Sequence, residues 1–200
     1  MMRRKACRFE SGPGHRMIKE TSQEKEPKKE KPEFLYHGTQ AEDLEILSPD
    51  DKRTRGFQEG KLLFATPDKG FAATFLGPRP DDSWSIRGRV GGRYYILISD
   101  EKRFRDSDKG GIIYTLPGDK FECDESKGIR RSEWHAKSDV RPIETERFDS
   151  ALDAMAENGV LVYFVDKKKL DEIKKYIEDS LAAGKTSDTE KYLDELEPAS

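Results

Sequence analysis

The chain has 200 residues, 34% of them hydrophobic and 38% charged, with a net charge of -3. This composition fits one domain of modest core with solvated extensions, and it excludes a general electrostatic pull toward nucleic acid or membrane. No apolar run approaches the roughly eighteen residues of a spanning helix, and Cys7 and Cys123 stand far apart, which argues against a disulfide scaffold or cysteine metal site and for a reducing, cytoplasmic setting.

Residues 1–32 are rich in Lys, Glu, Arg, Gly and Pro and nearly lack aliphatics. Such a segment cannot bury enough apolar area to offset its ordering entropy, so it is expected to be a disordered charged arm. Met1-Met2-Arg3-Arg4-Lys5 has no apolar stretch behind it and does not read as a secretory signal, and Met17 is an alternative start. Short β-branched or aromatic runs at 34–36, 62–65, 94–98, 112–116 and 160–165, bounded by Gly, Pro and Asp, predict strands. Thr66 is the expected N-cap of a short helix, with Pro67 in its first position, Phe71 and Phe75 on one face, and Gly77-Pro78 at its end. Ser150, Asp153 and Gly159 bracket a second helix.

Leu170, Ile173, Ile177 and Leu181 recur at helical spacing and predict a C-terminal helix over 167–183 that packs back on the domain. An acidic flexible tail, 184–200, is expected beyond it. Strands with few, small helices make the fold class α+β, a mixed sheet domain over 33–166. Neither a Gly-x-Gly-x-x-Gly nor a Walker loop occurs, which removes Rossmann and P-loop readings. The loop from Asp106 to Gly111 reads as a turn, because the distal glutamate of a calcium loop is missing. His135 has no second histidine at ligand spacing, so no metal site is expected.

Two segments carry the functional signal. Phe34-Leu35-Tyr36-His37-Gly38-Thr39 is an apolar strand ending in His-Gly-Thr, and Leu62-Leu63-Phe64-Ala65-Thr66-Pro67-Asp68 is an apolar strand that turns into a helix. Together they resemble the opening motifs of the ADP-ribosyltransferase fold, in its diphtheria-toxin and poly(ADP-ribose) polymerase branch, over roughly residues 34–165. The resemblance implies a twisted mixed sheet and NAD as substrate, used for mono-ADP-ribosyl transfer or NAD glycohydrolysis.

It also implies roles for particular residues. His37 would hold the adenosine-side ribose. Gly38 would clamp the nicotinamide amide through its own N–H and C=O, and Thr39 would fix the strand end. Family members often carry a tyrosine where Leu63 stands; here Phe64, one residue on, is the ring able to stack, with Phe75 as a second wall. Ser132-Glu133-Trp134 is similar to the strand that carries the catalytic glutamate, which makes Glu133 the expected carboxylate and Glu122 the alternative. Arg53 and Arg55 fall where a donor loop would cover the pyrophosphate. The acceptor, whether protein, nucleic acid or small molecule, leaves no decodable trace. Two other readings stay open: a non-catalytic interaction module that keeps the fold, and an RNA-directed transferase such as an RNA 2'-phosphotransferase, for which Arg130-Arg131 is the nearest basic hint.

Overall fold

Alternating β-branched and aromatic side chains let short strands bury one face or both, and polar turns space them. The computed structural model describes residues 31–40, 44–49, 61–77, 83–123, 133–184 and 189–199. Within them run β1 (Phe34–Thr39), β2 (Leu63–Ala65), α1 (Lys69–Ala73), β3 (Ser85–Val90), β4 (Arg93–Ile98), α2 (Glu101–Ser107) and β5 (Gly111–Pro117). After a 3-10 turn at Gly118–Lys120 come β6 (Trp134–Ala136), β7 (Glu144–Phe148), α3 (Ala151–Glu157), β8 (Leu161–Phe164), α4 (Lys167–Ala182) and α5 (Glu190–Leu193). The architecture is mixed α+β. Arg53, Arg55, Arg130, Arg131 and residues 1–30 of the expected arm lie outside the described residues.

β5 is the middle strand of an antiparallel sheet ordered β1-β5-β7. β2 pairs antiparallel with β6, and β4 lies between an antiparallel β3 and a parallel β8. Reciprocal backbone hydrogen bonds between Tyr36 and Thr66, of 2.7 and 2.9 Å, attach the end of β2 to β1. The strands of the two motifs are therefore neighbours.

Alternation distributes the side chains between apolar clusters. Ile96, Ile98 and Val162 point to the side of the β3-β4-β8 sheet that holds α1 and α3, with Ala72, Leu76 and Met155. Tyr95, Leu97 and Tyr163 point to the other side, where Leu170, Ile173 and Ile177 of α4 cover them. Leu170 and Ile173 are fully buried; at about 1.5–3 kcal/mol for each such side chain, this stripe holds α4 on the sheet. A further cluster under β1, β2 and β6 contains Leu35, Leu63, Tyr114, Phe121 and Trp134.

Several expectations change. Asp68, not Thr66, caps α1: its carboxylate accepts from Phe71 N–H, while Thr66 Oγ1 accepts from Asp68 N–H in a tight turn before the helix. Pro67 accordingly precedes the helix, which gives way to turns after Ala73, before Gly77. Ser150 does cap α3, and Asp108 reinforces it by accepting from Ala151 N–H at 2.7 Å and from Ser150 Oγ at 2.9 Å. The loop that superficially suggested calcium thus gives its carboxylate to a helix end. Val140 makes an isolated bridge to Leu47.

Residues 189–199 fold back rather than trailing as a flexible tail. Leu193 is buried with Leu170 and Ile173, Tyr192 packs on Tyr176, and Ala199 N–H donates to Val162 O at 2.7 Å. At the other end, Lys31 Nζ reaches the Asp119 carbonyl and Glu33 O accepts from Gly118 N–H, so contacts begin before the expected boundary at 33. Among the described residues no helix is long and apolar enough to cross a membrane.

Candidate functional site

β1 brings Tyr36, His37 and Gly38 to one side of a cleft with about 370 Å³ of free space open to solvent. Phe64 and Thr66, from β2 and its turn, form the next wall. Phe71 and Phe75 supply the third from α1 and the turn after it, and Glu133 enters just before β6.

Strand alternation decides what β2 presents. Leu63 and Ala65 are buried in the cluster around Trp134, so Phe64 between them faces the cleft. The same parity in the paired strand buries Trp134 and leaves Glu133 on the face of Phe64 and His135. Glu133 is only 8% exposed. A carboxylate so withdrawn from water needs compensating polar or cationic company.

His37 is fixed by its neighbour strand. Its Nδ1 lies 2.7 Å from the Phe64 carbonyl oxygen. A carbonyl can only accept, so Nδ1 carries the proton.

Gly38 has a structural reason of its own. A methyl on its Cα would overlap the Ala72 carbonyl and come within 2.9 Å of Leu76 Cδ1. Its missing side chain thus lets α1 lie against β1, and Gln40 Nε2 tethers the same region by donating to Leu76 O at 2.6 Å. Thr39 is buried at the strand end opposite Ile112 and is not part of the cleft lining.

The aromatic wall is built by contact. Phe71 meets Phe75 edge to face at 5.2 Å and stacks on Tyr94 at 5.0 Å with planes 23° apart. Burial pushes the Tyr94 phenol above its ordinary pKa, aided by the Asp68 charge and opposed by Arg89. Lys69 sits over the Tyr36 ring and pairs with Glu146 of β7 at the cleft margin.

The structure therefore gathers His37, Gly38, Phe64, Phe75 and Glu133 around one space. Glu122 is exposed, and its strand bridge to His135 leaves it outside the lining. Arg53 and Arg55 lie outside the described residues. Tyr36, Thr66 and Phe71 also line the cleft. Phe71 was legible as the partner of Phe75 one turn away, whereas Tyr36 and Thr66 are placed by a cross-strand bridge that has no local signature. Among the described residues no three His, Cys, Asp or Glu side chains converge on a metal position. Comparisons with protein-family models, with curated proteins and with solved structures gave no match.

Proposed function

We propose that this chain cleaves the nicotinamide–ribose bond of NAD on an ADP-ribosyltransferase-like domain, passing ADP-ribose to an acceptor or to water. One observation carries the reading: residues from three segments, His37 and Gly38, Phe64 and Phe75, and Glu133, line a single cleft although nearly a hundred positions separate the first from the last.

The chemistry suits those groups. The nicotinamide of NAD is a cationic aromatic ring, which the faces of Phe64, Phe71 and Phe75 attract through their quadrupoles. As the C1'–N bond breaks, its electron pair moves onto the ring nitrogen and neutral nicotinamide leaves. Positive charge then builds on the ribose, and a carboxylate at Glu133 stabilises it. An oxygen or nitrogen of the acceptor bonds to C1' and gives up its proton, so the products are nicotinamide, ADP-ribosyl acceptor and a proton. His37 would hold a sugar hydroxyl and orient the donor.

A non-catalytic module is the second reading, and Gly38 favours it. The packing of Ala72 and Leu76 already explains that glycine without any ligand. Incubating the full chain with NAD and measuring free nicotinamide separates the two. Nicotinamide release abolished by Glu133→Gln supports the enzyme. A folded protein that releases none, with or without added acceptors, supports the module.

A further inference from the structure

A lysine and a glutamate meet across the sheet beside the cleft. Gly38 of β1, Ile113 of β5 and Glu146 of β7 stand in one row of cross-strand partners, and such partners project from the same face of a sheet. For Gly38 that face is the one covered by α1, where an added Cβ would meet Ala72. Lys69, the first residue of α1, reaches over this face to pair with Glu146. Its Nζ also lies 5.9 Å from the ring centroid of Tyr36, a residue of the cleft lining.

We propose that Lys69 is the seat for the diphosphate of a nucleotide held in the cleft, and that Glu146 keeps its ammonium at the margin until the ligand takes over. That the nucleotide is NAD rests on the reading above; a diphosphate-binding lysine does not.

Charge selects this ligand. The described lining holds the Glu133 carboxylate and no lysine or arginine, so an anionic ligand must find its counter-charge at the margin. His37, which the NAD reading assigns to a sugar hydroxyl, adjoins Tyr36 along β1. A diphosphate joined to that sugar leaves the cleft beside Tyr36, within the span of the lysine. The existing pair is replaceable. Its side chains are 30% and 32% exposed, and an ion pair so wetted contributes little to stability. An ammonium carries three donors on a flexible four-carbon stem, so it can turn from a carboxylate oxygen to phosphate oxygens without moving α1.

The test compares the full chain with Lys69→Met, Glu146→Gln and the double variant, by NAD turnover and by titration calorimetry with ADP. Lys69→Met should raise the KM for NAD and the Kd for ADP roughly tenfold. Its kcat should stay within about twofold, because a diphosphate contact is alike in the ground and transition states. Glu146→Gln should do the opposite and lower both constants roughly threefold. That gain should vanish where Lys69 is already replaced, and Lys69→Arg, which keeps the charge, should retain most of the affinity. A pair that merely braces α1 would weaken binding in both single variants alike, and that result overturns the proposal. So does a Lys69→Met protein with unchanged KM and Kd, which leaves the NAD reading standing if nicotinamide is still released. A wild type that binds ADP with the expected pattern but leaves NAD intact would sink the NAD reading and spare this one. Binding of neither nucleotide would end both.

Discussion

His37 Nδ1 lies 2.7 Å from the carbonyl oxygen of Phe64, so a side chain of one motif strand is pinned to the backbone of the other. The bond sets the imidazole tautomer and the position of the Phe64 strand together. His37→Phe keeps a planar ring but leaves that carbonyl without this donor. The expected cost is about 0.5–1.5 kcal/mol, read from urea unfolding at neutral pH. A variant as stable as wild type would mean that the carbonyl gains nothing from the histidine.

Glu133→Gln tests the carboxylate where it matters most. The amide preserves shape and hydrogen bonding but removes the charge that faces the developing cation. Turnover of NAD should fall by roughly a hundred- to a thousandfold, about 2.7–4 kcal/mol. NAD affinity should hardly change, because the lost interaction belongs to the transition state. Equal turnover in the two proteins would take Glu133 out of the mechanism.

Gly38→Ala distinguishes packing from ligand approach. The added methyl meets the Ala72 carbonyl, which is backbone and cannot rotate away. Displacing α1 should cost about 1–3 kcal/mol even without ligand. If Gly38 served only to let a ligand come close, thermal stability would stay at the wild-type value and binding alone would suffer.

Much of this was legible in the chain. Runs such as Tyr94 to Ile98 and Ile112 to Leu116 declare themselves because those strands are buried. β3 and β7 do not: Arg87 and Arg89 interrupt the first, and Glu144, Glu146 and Arg147 face outward from an edge in the second. The cleft residues His37, Phe64, Phe75 and Glu133 could be singled out by residue type and motif. The Thr66 turn and the Arg87–Phe75 contact could not, because each depends on a neighbour brought close by the fold.

Three tyrosines give stability a ceiling in pH. Burial raises the pKa of Tyr94, Tyr95 and Tyr163 above the ordinary 10.0. The folded state therefore holds these protons more tightly than the unfolded chain does. The associated stability is fully present below about pH 10 and is lost as pH climbs through the higher folded values. Urea midpoints from about pH 8 to about pH 11 should fall at the upper end. In Tyr95→Phe, which loses the bond to Thr189 Oγ1, that fall should be shallower. An identical pH profile for this variant would rule Tyr95 out as a contributor.

The hydrogen bond from Ala199 to Val162 has a bearing on how the protein avoids its own kind. Among the described strands β8 pairs only with β4, and a strand whose other margin is open is a template for intermolecular pairing. The returning chain end occupies that margin, with Leu193 acting as its anchor in the sheet's apolar side. Chains shortened after residue 188 should expose the ribbon of β8 and scatter light at concentrations where the intact protein stays dispersed. If they remain monomeric by light scattering, some other device guards that edge.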